Sequence, residues 1–240
     1  MTLLARWREP PPATINSVAV YHERADAWWS EVDRSFAPLR AMAAARLSFL
    51  ARHGVPLQGS RVLDVGAGGG FLSIEMAQRG ALVVALDLAP RALAAARAEA
   101  ERRGLSLSTI AASAERVPLW DARFPLVVCT DVLPHIVEQQ LIFDELARLV
   151  APGGKLLVAT MNSTALARFV LITLGEDILG VLPRGTHDPR TFVSPEELAR
   201  QMRARGLTHV VTEGTSWRRF GVTFGRSALR AIMYQALFTK

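Results

Sequence analysis

The sequence has 240 residues, half of them apolar, which is enough for one sizeable core and suits one domain, or one domain with an elaboration. Its apolar stretches are broken by charge well before the roughly 18 residues a membrane span needs, and the opening MTLLARWREPPP lacks the apolar centre of a secretory signal, so a cytoplasmic location is expected. The net charge of +6 comes from arginines scattered among Glu and Ala, as in RALAAARAEAERRG, with Lys155 and Lys240 the only lysines; no basic run or aromatic-and-basic platform points to nucleic acid.

Residues 1–13, ending in a proline run, read as a flexible lead-in, and residues 14–240 as a single domain. From Ile15 to His53 the pattern is helical, with aromatic patches around Tyr21, Trp28, Trp29 and Phe36. The texture then changes. Apolar runs VLDVG, LVVALDL, LSTIAA, LVVCTDV and KLLVAT recur, separated by helix-like stretches, and their continuous hydrophobicity is that of parallel strands buried on both faces. The expectation is an α/β fold: a Rossmann-like, doubly wound, mostly parallel sheet with its core at residues 59–160, N-terminal helices and an inserted helical segment at residues 163–190. Cys129, the single cysteine, excludes an internal disulfide and sits in an apolar run, as a small core side chain does. In the insertion an apolar stripe at Leu166, Val170, Leu174 and Ile178 predicts a helix over 163–182, followed by the loop LPRGTHDPRTF. SPEEL predicts a helix start with Ser194 as N-cap, Pro195 as first residue and Glu197 completing a capping box. From Leu207 the tail is expected to add two strands and a helix at the sheet edge.

The stretch RVLDVGAGGGFLSIEMAQRGALVVALDLAP carries the chemistry. Strand, glycine turn, helix and an acidic residue at the end of the next strand form a grip for a nucleoside at the carboxyl edge of an open sheet. A dinucleotide fingerprint begun at Gly66 needs its third glycine where Phe71 stands, and a Walker loop needs a Gly-Lys pair that is absent. The spacing Asp64-x-Gly66-x-Gly68-x-Gly70 therefore suits a ligand with adenosine and no phosphate, and S-adenosyl-L-methionine is one. Asp87, 17 positions after Gly70, is placed to accept both ribose hydroxyls. Asp64 is placed either to attract an ammonium or to order the glycine turn through backbone N–H groups.

The loop, Asp87, the segment ASAERVPLWDARFPLVVCTDVLPHI and the turn APGGKLLVAT together resemble a Rossmann-like S-adenosylmethionine-dependent methyltransferase over about 100 residues. The flanks are similar to the ubiquinone-biosynthesis O-methyltransferases, which act on catechol-type polyprenyl intermediates: AWWSEVDRSFAPLRAMAAAR in front, and TMNSTALARFVLITLGEDILGVLPRGTHDPRTFVSPEEL behind. The resemblance implies that Arg46, Gly66, Gly68, Asp87 and Thr130 line the cofactor site, with Arg46 on the methionine carboxylate. Ser113 stands, beside Ala114, where the family often has an Asp for the adenine amine, and Thr130 where it usually has Met.

The family is also associated with a divalent metal on Glu-x-x-Glu-His, where this chain reads Asp131-Val132-Leu133-Pro134-His135. Asp131 keeps a carboxylate and His135 is present, but Pro134 offers no side-chain ligand, which weakens a hard-cation site. His135 is the expected general base, with Asp131 beside it. His187 and Asp188, in the GTHD loop, are placed near the substrate mouth by the same resemblance, a structural turn role being the alternative. An apolar insertion with arginines at its margins suits either a lid or peripheral contact with an anionic membrane through residues 165–182. The resulting expectation is an O-methyltransferase for a phenolic, polyprenylated aromatic acceptor. A methyltransferase for another small metabolite, and a catalytically silent cofactor-binding member of a biosynthetic complex, stay open at this point.

Overall fold

The computed structural model describes residues 23–33, 36–178, 188–218, 221–225 and 228–240. The expected lead-in at residues 1–13 lies outside them. A short 3-10 turn at Ala25–Ala27 precedes α1 (Ala37–Arg52). Then come β1 (Arg61–Val65), α2 (Phe71–Ala77), β2 (Leu82–Asp87), α3 (Pro90–Arg102), β3 (Ser108–Ala111), β4 (Phe124–Thr130), α4 (Gln139–Leu149) and β5 (Val150–Met161). After these, α5 (Ala165–Arg168) runs into wide π turns at Phe169–Ile178, and α6 (Pro195–Ala204) leads to β6 (Thr208–Arg218), β7 (Gly221–Gly225) and β8 (Met233–Thr239).

The strands form one sheet in the order β3-β2-β1-β4-β5-β8-β6-β7. The pairs β3/β2, β2/β1, β1/β4 and β4/β5 are parallel, and β5/β8, β8/β6 and β6/β7 antiparallel. The sheet is therefore doubly wound and mostly parallel, as expected, and the chain order reverses between β1 and β4, where such sheets bind ligands. The tail differs from expectation in supplying three strands and a 3-10 turn at Ala228–Ala231 rather than two strands and a helix.

Alternation along the strands divides the core. Val62, Leu126, Val128, Leu157 and Leu237 face a cluster with Leu47, Phe49 and Leu50 of α1, Ile74 and Met76 of α2 and Ala92 and Ala96 of α3. Leu63, Val65, Val127, Cys129, Val158 and Phe238 face the opposite cluster with Ile142, Phe143 and Leu146 of α4 and Leu198 and Met202 of α6. Each large side chain so buried contributes about 1.5–3 kcal/mol relative to exposure. Cys129 is wholly buried there, and burial holds its thiol well above the ordinary value, so it is an inert core residue. Ser194 caps α6 as expected, its hydroxyl accepting the Glu197 N–H at 3.1 Å.

The insertion departs from the expected stripe. Leu166 is exposed, whereas Ala167 is buried and Leu171 and Ile172 pack on the Met42, Met161 and Phe192 cluster. The wide turns after Arg168 change the phase, since a bond pattern of i to i+5 does not keep residues four apart on one face. The side chains of Leu174 and Ile178 lie outside the described residues.

The turn joining β1 to α2 is closely packed. Gly70 sits at φ 80° as the residue before α2, and a methyl there would lie 2.6 Å from the Ala96 side chain. A methyl on Gly66 would overlap Val132, and one on Gly69 would overlap the Trp28 ring. Trp28 in turn stacks on Phe36 at 4.1 Å between centroids, and the Trp29 indole N–H donates to the Gly69 carbonyl at 2.7 Å. Substituting Gly69→Ala therefore destabilises by about 2 kcal/mol through overpacking. In urea unfolding, adding Trp28→Leu recovers part of that loss; two strictly additive losses would show that the contact is not the cause.

Candidate active site

A cleft of about 280 Å³ opens at the carboxyl ends of β1, β2, β3 and β4. Its walls come from the glycine turn (Gly66, Gly68), the end of β2 (Asp87), the loop after β3 (Ser113, Ala114, Glu115) and the end of β4 (Thr130, Asp131, Val132, His135). Leu39, Ala43 and Arg46 of α1 close one side, with Trp28 beside them and Asp64 behind. The structure thus brings together Arg46, Asp64, Gly66, Gly68, Asp87, Ser113, Ala114, Thr130, Asp131 and His135.

Asp87 stitches the edge of the cleft. One carboxylate oxygen accepts the Gly68 N–H and the other the Ala89 N–H, each at 2.8 Å. Burial raises its pKa, against the pull of those N–H groups, and lone pairs remain to take further donors. The ordering of the glycine turn, one of the two roles expected of Asp64, belongs here to Asp87. Asp64 instead accepts the Ser73 hydroxyl at 2.6 Å from the first turns of α2. It is 2% exposed, and burial pushes its pKa up to about 6 in spite of that bond and of nearby Arg46. Above that pH it adds a negative charge behind the cleft.

The third group faces them. Arg46 is 4% exposed, and its guanidinium lies 2.6 Å from a carboxylate oxygen of Asp131. The other Asp131 oxygen and the Arg46 Nε are buried without a partner. Asp131 holds a left-handed backbone at φ 61°, which Asp tolerates better than most residues, and its N–H donates to the Ala159 carbonyl. His135 ends a 3-10 turn, Leu133–His135, on the cleft wall. These residues do not fit a divalent metal. A guanidinium occupies the one carboxylate at this place, Pro134 brings no side-chain donor, and its carbonyl already accepts the Thr191 hydroxyl at 2.7 Å.

The turn at 188–191 takes the structural role that the sequence left open beside the substrate one. Asp188 is buried, caps the 3-10 turn Pro189–Thr191 by accepting the Arg190 N–H, and pairs with the Arg190 guanidinium at 2.7 Å; it is not in the cleft wall. That pairing lowers its pKa. His187 lies outside the described residues. The Gln139 amide spans the Leu133 and Thr191 carbonyls at 3.0 and 2.6 Å, so this turn props the segment that carries His135. Sequence reasoning named Arg46 but missed Glu115 and the rest of the α1 wall, although Leu39 and Ala43 stand with Arg46 at the 4- and 3-residue steps of one helix face.

Charge decides what such a cleft admits. Among the described residues lining it, one arginine faces four carboxylates, Asp64, Asp87, Glu115 and Asp131. A phosphate-bearing ligand is repelled and a cationic one is drawn in.

Comparison with known proteins agrees with this architecture. The profile of a family described as a methyltransferase domain matches residues 63–158. The crystal structure of magnesium protoporphyrin IX methyltransferase from Synechocystis PCC 6803 with bound SAH superposes with a TM-score of 0.66 at 20% identity, over 94% of this chain and 95% of that one, a likeness of fold. The ubiquinone biosynthesis O-methyltransferase of Idiomarina loihiensis is 35% identical over 201 residues, covering 82% of this chain and 81% of the relative. That of Xylella fastidiosa strain 9a5c is 40% identical over 182 residues, covering 75% and 73%. With identity of this degree over most of both partners, the chain belongs to the ubiquinone biosynthesis O-methyltransferase family.

Proposed function

We propose that this protein transfers the methyl group of S-adenosylmethionine to a phenolic oxygen of a polyprenylated, catechol-type intermediate of ubiquinone synthesis. The observation that carries the reading is the cleft at the β1/β4 reversal, with Asp87 at its edge and its single arginine set among carboxylates. The relatives' shared name favours this acceptor over another small metabolite. When bound, the cofactor supplies an electrophilic methyl on a sulfonium, whose carbon–sulfur bond breaks as the oxygen–carbon bond forms.

The chain's own residues do the rest. Asp87 takes the ribose hydroxyls with its remaining lone pairs, while Gly66 and Gly68 let the backbone approach. Ser113 and Ala114 edge the adenine, Thr130 closes the floor, and Arg46 takes the carboxylate. Asp64, ionised above about pH 6, favours the cationic half of the ligand. A phenol with a pKa near 10 costs about 4 kcal/mol to ionise at neutral pH, and His135 supplies the proton acceptor. The donors described at this place do not fit a metal, so the step is assigned to His135.

The acceptor's hydrophobic tail calls for a place to rest. Among the described residues no helix is long and apolar enough to cross a membrane. The insertion begins with Leu166 and Phe169 exposed, 47% and 51%, beside Arg168, which suits peripheral contact with an anionic surface.

Three outcomes follow. In isothermal titration calorimetry, Asp87→Ala lowers affinity for S-adenosylhomocysteine by roughly a hundredfold or more, two charge-assisted bonds being lost; an unchanged affinity removes Asp87 from the ribose. His135→Ala lowers kcat by roughly a hundredfold or more with KM for the cofactor held, and a chelator leaves wild-type turnover as it was; strong inhibition by the chelator would return a metal to the site. Leu166→Ser with Phe169→Ser reduces co-sedimentation with anionic liposomes, and full retention would place the contact elsewhere.

A further inference from the structure

The Arg46–Asp131 pair stands in an unusual condition. Two opposite charges meet at 2.6 Å in the cleft wall, yet each keeps one buried polar atom with no partner: the Arg46 Nε, a donor, and the second Asp131 carboxylate oxygen, an acceptor. Leaving charged atoms buried and unpaired is costly, and such a cost persists in a fold where something else fills the need. The pair cannot easily rearrange to help itself. Arg46 leaves α1 among Met42, Ala45 and Leu47, all buried, and Asp131 is fixed by its left-handed backbone and its bond to Ala159.

What satisfies both atoms at once is a ligand with an acceptor and a donor of opposite charge a few bonds apart. We infer that the pair is a preformed socket for an α-amino acid zwitterion, in which Arg46 holds the carboxylate and Asp131, rather than Asp64, holds the ammonium. This rests on the cofactor reading above and assigns the place of its methionyl end. A divalent metal does not meet the need, because it offers nothing to Arg46 and is repelled by it. An ammonium carries a single charge and three donors, so it can take the vacant oxygen while the guanidinium keeps the other. Asp64 is less well placed for the task, being 2% exposed and already bonded to Ser73. The assignment also gives a use for a carboxylate at position 131 in a chain that has Pro134 and, among the described residues, no fitting metal site.

Calorimetry with two neutral-sulfur ligands isolates the amino acid end from the sulfonium: S-adenosylhomocysteine, which has the zwitterion, and 5′-methylthioadenosine, which lacks it. Asp131→Asn keeps the shape and the left-handed backbone and removes the charge. It is expected to weaken S-adenosylhomocysteine by about tenfold or more and to leave methylthioadenosine unchanged, while Asp64→Asn changes the ratio of the two affinities far less. An equal loss for both ligands, or no loss, overturns the socket. So does a Mg²⁺-dependent affinity in the wild type that Asp131→Asn abolishes. If the wild type bound neither ligand, the cofactor reading itself would fall; if it bound both and only the selective loss were missing, the socket alone would.

Discussion

At Gly66, Gly69 and Gly70 there is no room for a single methyl group, and the surroundings of the cleft are spaced by that requirement. Val132 can cross the end of β1 because Gly66 is bare, Trp28 can lie flat on the turn because Gly69 is bare, and α3 can close on α2 at Ala96 because Gly70 is bare. The glycines that make the turn suitable for a close-lying ligand are thus demanded first by the protein's own side chains. Packing of this density leaves the turn one arrangement, and Asp87 fixes that arrangement through the Gly68 N–H. The cofactor edge is therefore built before any ligand arrives, which limits the ordering cost of binding.

Within that frame electrostatics selects. Four carboxylates and one guanidinium line the same small volume, and burial pushes two of those carboxylates, Asp64 and Asp87, above their ordinary range. A ligand carrying positive charge relieves this crowding; one carrying phosphate worsens it. The exclusion of phosphate ligands, which the missing third glycine and missing lysine already suggested, has here a second and independent physical basis.

The fold and most of the cleft were legible in the sequence because they follow from local pattern. Continuous apolar runs gave the parallel strands, the glycine spacing gave the turn, and Ser194 and Pro195 gave the start of α6, while the Glu197 carboxylate turns to Gln201 and Arg200 instead of closing the capping box. Every cofactor-side residue singled out, from Arg46 to Thr130, lies in the cleft wall. What escaped depended on contacts between distant segments. That Asp131 meets Arg46, 85 residues away in the chain, has no local signature. The phase of the insertion was misread because π turns break the four-residue stripe, and no local pattern decided between the substrate and turn roles of Asp188, which pairs with Arg190 in the prop. The third strand of the tail was missed for a similar reason, since β7 is a short edge strand whose pairing with β6 is set by the antiparallel half of the sheet.

The prop has a consequence for position 134. Thr191 and Gln139 hold the segment after β4 through the main-chain carbonyls of Pro134 and Leu133, and a carbonyl is supplied by every amino acid. These two bonds thus ask for no particular side chain at 134, where the limit is the space around the buried Pro134. The turn that presents His135 is held by main-chain bonds that a proline at 134 keeps, so the loss of a ligating side chain there leaves the architecture in place.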